Sequence, residues 1–177
     1  MKKTIIITGG AGFIGSHVVR LFVNKYPDYN IVNLDALTYA GNLENLKDIE
    51  DAPNYTFVKA DIVDAERMNE VFVEFNPDAV IHFAGLKSVN ESVSNALKYY
   101  ENNVYGSLQL FRAMVNFDVK NIVFSSSATV YGDPDKLPLD ESMPAGKPTN
   151  PYGMSKLMIE NILDDIYRSD KSWNIVK

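Results

Sequence analysis

Short apolar, β-branched runs alternate along this chain with amphipathic runs of helical period. That alternation predicts an α/β fold, a doubly wound parallel sheet with helices on both faces. Two further features support it. The first apolar run ends in a cluster of glycines that opens a helix, and the second ends in an acidic residue. Hydrophobic residues make up 46% of the 177 positions, enough to cover both faces of a sheet.

The elements follow in chain order. Residues 4–8 are β-branched throughout and end in glycine, which predicts a buried strand. Residues 13–26 predict a helix with Phe13, Val18, Leu21 and Phe22 on its inward face, ending ahead of Pro27. Strand signals recur at 30–34, 55–60, 79–83 and 121–124. Helical patterns lie between them at 43–49, 65–75, 95–117 and 151–167. The stripe Leu97, Tyr100, Val104, Leu108, Phe111 and Val115 is either core or a face for a second copy. Residues 133–150, rich in Pro and Gly, predict one long irregular loop, a length that is uncommon and often functional. Residues 173–177 look like a strand that has barely begun, so the chain is expected to be the first part of a longer protein.

Composition excludes several function classes. With 23 acidic and 17 basic side chains, the net charge is −6 and no basic run is present. Nucleic-acid binding needs clustered Lys and Arg, so it is not expected. The absence of cysteine removes disulfide scaffolds, thiolate zinc sites and cysteine nucleophiles. His17 and His82 lie far apart, which disfavours a histidine metal site. No apolar run reaches the length of a signal peptide's core or a membrane span, so a soluble cytoplasmic protein is the expectation.

The run Thr8-Gly9-Gly10-Ala11-Gly12-Phe13-Ile14-Gly15 sits where the first strand meets the first helix. Gly9 allows the tight turn, Gly12 lets backbone approach a pyrophosphate, and Gly15 lets helix pack closely on strand. About 20 residues on, Asp35 closes the second strand, where a carboxylate accepts hydrogen bonds from the adenosine ribose hydroxyls. It would repel a 2′-phosphate, and residues 36–40 hold no Lys or Arg to offset that. NAD is therefore expected over NADP. Asp61 and Ile62, closing the third strand, are placed beside the adenine.

Tyr-x-x-x-Lys occurs as Tyr55/Lys59, Tyr152/Lys156 and Tyr167/Lys171, and position decides among them. On a strand the first pair spans ~13 Å, too far to act together. The third pair begins ~22 Å along the last helix from Tyr152. Tyr152 and Lys156 alone occupy the first turns of a helix at the nucleotide-binding edge of the sheet, on one helical face. An ammonium beside a phenol favours the phenolate, which suits Tyr152 to take a proton from a substrate hydroxyl. Ser127, in the run Ser125-Ser126-Ser127 after the fifth strand, could hold the substrate oxygen, although such runs also serve as turns. His82, inside an apolar run, reads as a satisfied core histidine. Lys87 is either a phosphate contact or a solvated loop residue. Asn102 and Asn103 lie on a long helix, where one could reach the cofactor.

Glycine turn, Asp35, Ser127 and the Tyr152/Lys156 pair together resemble the extended short-chain dehydrogenase/reductase family, whose Rossmann-type domain binds NAD. The resemblance spans the whole chain and about the first half of such an enzyme. Within the family, residues 8–15 and 37–43 (Leu-Thr-Tyr-Ala-Gly-Asn-Leu) look like the 4,6-dehydratases of dTDP-glucose. Residues 82–87, 99–103, 124–132 (FSSSATVYG) and 150–156 look like the 4-epimerases of UDP-hexoses. A dehydratase carries Asp-Glu directly after the hydroxyl residue, where this chain has Ala128 and Thr129, so the resemblance favours the epimerase. It implies catalysis by Ser127, Tyr152 and Lys156, with Tyr152 deprotonating the 4-hydroxyl of a UDP-hexose. It also implies cofactor contacts from Phe83, Ala84, Lys87, Asn102 and Ser125, and from Tyr152 and Lys156 themselves. A homodimer formed through helices 95–117 and 151–167 is implied as well. Residues 1–177 are then one NAD-binding domain that stops before a substrate domain, with little or no turnover alone. The rival readings are a dehydratase domain, a hybrid of the two enzymes, and a non-catalytic NAD-binding module.

Overall fold

Successive side chains of a strand point to opposite faces of its sheet. Ile6 enters one hydrophobic cluster while Ile5 and Ile7 enter another, and all three are buried. The first strand is thus covered on both sides. A computed structural model of the chain describes residues 2–134 and 136–177. Its strands are β1 (Lys3–Thr8), β2 (Tyr29–Asp35), β3 (Tyr55–Lys59), β4 (Ala79–His82), β5 (Asn121–Phe124) and β6 (Asn174–Val176). Among the described residues they form one parallel sheet in the order β3-β2-β1-β4-β5-β6. Chain order reverses between β1 and β4, and ligands of such sheets bind at the strand ends beside that reversal.

Helix α1 (Phe13–Lys25) and a 3₁₀ segment (Leu43–Ile49) cover one face of the sheet. Helices α2 (Ala65–Phe75), α5 (Gly106–Asn116) and α6 (Pro151–Ser169) cover the other. Between β4 and α5 run two short helices, α3 (Val89–Ser94) and α4 (Ala96–Tyr99), and a π-helical stretch (Tyr100–Tyr105). Asp64 caps α2 by accepting from the Arg67 N–H at 2.9 Å, and Asn76 ends it in the left-handed region at φ 42°.

The predicted α/β class and its strand positions hold, with boundaries moved by a residue or so. Four readings need correction. The inward face of α1 centres on Gly15, Ser16, Val19 and Val23, with Val18 and Phe22 packed against the same cluster as expected, while Phe13 is 71% and Leu21 53% exposed. The small residues at 15 and 16 let the helix sit close on the sheet, which rotates Phe13 and Leu21 outward. Residues 43–49 form a 3₁₀ segment, because Leu43, Leu46 and Ile49 recur every third residue and eclipse one another in that geometry. The span 95–117 is helical without a break from Ala96 to Asn116, but its middle, Tyr100–Tyr105, is π-helical, so its period is not constant. Consequently the six-residue stripe is not one face. Phe111 is buried while Leu97 and Val115 are exposed, and α5 turns Ser107, Leu110, Phe111 and Met114 inward. Among the described residues no helix is long and apolar enough to cross a membrane, and no group of acidic or histidine side chains could hold a metal.

Phe72 of α2 is fully buried in the larger cluster, in contact range of the Phe117 ring at 5.9 Å. Phe72→Ala is expected to cost about 3–5 kcal/mol of stability, read from urea unfolding midpoints. A loss under 1 kcal/mol would show that this cluster collapses to fill the space.

Candidate functional site

The glycine turn leads from β1 into α1. Gly9 adopts φ +71°, and a Cβ there would lie 2.6 Å from the Ala84 nitrogen. A Cβ on Gly15 would lie 2.2 Å from the Gly9 carbonyl oxygen, so the helix approaches the strand as only glycine allows. Gly12 differs. A Cβ there would meet the Gly9 oxygen at 3.3 Å and the Ala40 oxygen at 4.0 Å, and otherwise open space. No side chain caps the start of α1, and its first turn carries no acidic residue. The orphan N–H groups of that turn, with the positive end of the helix dipole, form a cradle for an anion.

Asp35 at the end of β2 is buried. One carboxylate oxygen accepts from the Ala11 N–H at 2.9 Å and the other from the Leu37 N–H at 2.8 Å. An ionised carboxylate offers about four lone-pair directions, so two stay open for hydroxyls. Asp61 accepts from the Val63 N–H at 3.2 Å, beside buried Ile62.

Helix α6 supplies the other end of the site. Pro151 occupies its first turn, and the Asn150 side chain accepts from the Gly153 N–H at 2.8 Å, which fixes where the helix starts and hence where Tyr152 sits. One turn on, Lys156 is 5% exposed, and its Nζ donates to the Ser125 carbonyl at 2.8 Å and lies 4.8 Å from the Phe124 ring centroid. Burial pushes the Lys156 amine down from 10.5 to about 8. Another turn on, Glu160 accepts from the Ser126 hydroxyl. The Ser127 Oγ accepts from the Thr129 N–H at 3.2 Å and from the Thr129 hydroxyl at 2.9 Å. Its lone pairs are thereby engaged, and its own proton is left to donate to an incoming oxygen.

Every residue singled out from the sequence as catalytic or cofactor-binding lines one cleft of ≈ 360 Å³. The glycine turn with Phe13 and Ile14 lies at one wall, and Asp35, Asp61 and Ile62 at another. Phe83, Ala84, Lys87 and Asn102 lead across to Ser125, Ser127, Tyr152 and Lys156. The partner of Lys156 among the described residues is the Ser125 carbonyl, not the Tyr152 hydroxyl. Its two other hydrogens are free for further partners.

Asn103 carries more of this arrangement than its sequence suggests. Its amide accepts from the Leu86 N–H at 2.7 Å and donates to the Leu86 carbonyl and the Ser155 hydroxyl, both at 3.0 Å. Ser155 donates in turn to the Tyr152 carbonyl at 2.7 Å. Asn102 makes a longer contact to the same Leu86 N–H, 3.3 Å. The π stretch, with its wider turn, is what directs two successive side chains to one loop. His82 is the satisfied core histidine expected of it: Nδ1 lies 2.6 Å from the Thr8 hydroxyl and Nε2 2.9 Å from that of Ser107. Burial, with a smaller push from the Lys156 charge, lowers it to about 3. The signal for Asn103 was present only as an adjacent amide pair, Asn102 and Asn103, in the helical stretch.

Residues 6–177 match the family described as GDP-mannose 4,6 dehydratase. The UDP-glucose 4-epimerase of Bacillus subtilis (strain 168) is 49% identical over 173 residues, covering 97% of this chain and 50% of that protein. A crystal structure of the UDP-glucose 4-epimerase from Bifidobacterium longum, in complex with NAD+ and UDP, superposes with a TM-score of 0.91 at 45% identity. It covers 98% of this chain and 51% of its own. A dTDP-glucose 4,6-dehydratase from Bacillus anthracis, solved with NAD, gives 0.83 at 34% identity and covers 96% of this chain and 52% of its own. The chain spans about half the length of the curated relatives it matches. Fold, cleft and sequence agree, and the chain belongs to the GDP-mannose 4,6 dehydratase family, within the extended short-chain dehydrogenases/reductases.

Proposed function

We propose that this chain is the NAD-binding and catalytic half of a sugar-nucleotide 4-epimerase acting on a UDP-hexose. The observation that carries the reading is the meeting of Tyr152, Lys156 and a proton-donating Ser127 at one end of a cleft whose other end suits a dinucleotide. The open side of Gly12 and the uncapped start of α1 suit its pyrophosphate, and Asp35 suits its ribose hydroxyls. Asp61 and Ile62 would flank the adenine. Phe83, Ala84, Lys87, Asn102 and Ser125 would hold the remainder.

NAD bound there would supply a reversible store for the hydride of C4. The protein's own residues do the rest. Tyr152 takes the proton of the 4-hydroxyl and later returns it, while Lys156 keeps positive charge near the developing phenolate. Ser127 donates to the same sugar oxygen and holds it through the change from hydroxyl to ketone. Turning the 4-keto sugar over between the two proton transfers inverts the carbon. Elimination of water needs an acid and a base beyond these. Ala128 has no such group, and the Thr129 hydroxyl is engaged with Ser127. This disfavours the dehydratase reading, although dehydratases share the fold. Relatives 45–49% identical and named UDP-glucose 4-epimerases support the UDP-hexose. The proposal includes a second domain that holds the nucleotide, a cytoplasmic location and a homodimer, the last using apolar surface such as Leu97, 75% exposed.

Calorimetric titration of the purified chain is expected to give NAD affinity at least about 10-fold above that for NADP, because Asp35 repels a 2′-phosphate. Equal affinities would remove the selectivity given to Asp35, and no binding of either would remove the cofactor reading.

Lys156 gives a second prediction. Its amine titrates near 8 in the folded chain and 10.5 unfolded. Between those values the unfolded chain holds the extra proton, so stability rises with pH across that window. Urea midpoints at about pH 7.5 and about pH 9.5 should show this rise in the wild type and lose it in Lys156→Met. An identical rise in the variant would place the proton elsewhere.

A further inference from the structure

The segment Leu37-Thr38-Tyr39-Ala40-Gly41-Asn42, between β2 and the 3₁₀ segment, plays no part in the chemistry above. Its two ends are tightly held. The Leu37 N–H donates to Asp35, and Leu37 takes φ 54°. At the other end the Asn42 N–H donates to the Ala11 carbonyl at 3.0 Å, and the Gly41 N–H to the Thr38 carbonyl at 3.2 Å. Tyr39 stands at the tip, 59% exposed. Its hydroxyl nevertheless accepts a hydrogen bond from the Lys87 backbone N–H at 3.0 Å. Lys87 belongs to the loop after β4, and β2 and β4 are the two strands that flank β1. The bond therefore runs across the mouth of the cleft, above the glycine turn that β1 delivers. Thr38, Ala40 and Gly41 line the cleft beneath it.

We infer that Tyr39 is a strap over the dinucleotide, closing the cleft by its bond to Lys87 and setting the rate at which cofactor enters and leaves. The inference rests on the dinucleotide reading of the cleft. The chemistry gives it a purpose. A 4-epimerisation is redox-neutral, since the hydride removed from the sugar must return to it. A cofactor that escapes in mid-reaction strands an oxidised sugar, so slow exchange serves this reaction where it would hinder a dehydrogenase that must change cofactor every turnover. The strap is also separable from ordinary binding contacts. A residue that only touches the bound ligand changes the rate of release, whereas one that must open for passage changes both rates.

The test is stopped-flow fluorescence on the chain with the etheno-adenine analogue of NAD, chased by excess unlabelled NAD. The chains compared are the wild type, Tyr39→Phe and Tyr39→Ala, each first checked for an unchanged melting temperature. Removing one neutral hydrogen bond should speed release about 3- to 10-fold in Tyr39→Phe. Association should speed by a similar factor, so that Kd moves less than about twofold. Tyr39→Ala should release at least as fast. Unchanged release in both variants would overturn the strap, as would faster release with unchanged association. Failure of the wild-type chain to bind the analogue or NAD would remove the dinucleotide reading and the strap with it.

Discussion

Gly15 lies so near the Gly9 carbonyl that a single added carbon would sit 2.2 Å from it, and most of the site depends on that approach. It brings the positive end of α1 down onto the carboxyl end of the central strand, where the chain order of the sheet reverses. Once the helix is seated there, Val19 and Val23 fill the space above Ile5 and Ile7, and the remaining face of the turn is left open at Gly12. A larger residue at position 15 would lift the helix, loosen this packing and move the anion cradle away from the strand ends that carry Asp35 and Ser125. One close contact between two backbones thus serves both the core and the cleft.

The other half of the site is held by polar groups rather than by packing. Thr8 meets His82, His82 meets Ser107, Ser107 donates to the Asn103 carbonyl, and Asn103 joins Leu86 to Ser155. Ser155 then donates to the backbone of Tyr152. This line runs from the central strand to the start of α6 through buried atoms. A buried polar group left without its partner costs on the order of 1–3 kcal/mol, so misplacing α6 would be penalised at several positions at once. His82 can serve at a fixed point in the line because burial keeps it neutral well below ordinary pH. The serine run is registered against the same helix by Lys156 on Ser125 and Glu160 on Ser126.

Much of this was legible in the order of residues. Central parallel strands are buried on both faces and so appear as unbroken apolar runs, and Ile5-Ile6-Ile7 and Val80-Ile81 could be read without a structure. The glycine turn and the Tyr152/Lys156 pair were legible because their chemistry fixes their spacing. Less legible was which way each helix faces. Gly15 and Ser16 set the rotation of α1, yet neither weighs in a search for apolar faces. The π stretch defeats a stripe drawn at one constant period. The threefold spacing of Leu43, Leu46 and Ile49 did carry its 3₁₀ signature, but a short run of that kind also passes for α-helix. Contacts such as Asn103 to Ser155 or Ser126 to Glu160 join residues far apart in sequence, and no local pattern announces them.

Asp35 couples two properties that are usually treated as independent. Its carboxylate fastens the Ala11 and Leu37 N–H groups, so it holds the glycine turn and the following loop in place before any nucleotide arrives. Gly41 packs on it closely enough that a Cβ there would lie 2.7 Å from its oxygen. Replacing Asp35 to admit a phosphorylated ribose would therefore unfasten the walls of the pocket in the same stroke. On the proposed reading, cofactor choice is built into the scaffold, and a change of preference would have to supply two new backbone anchors along with the new charge.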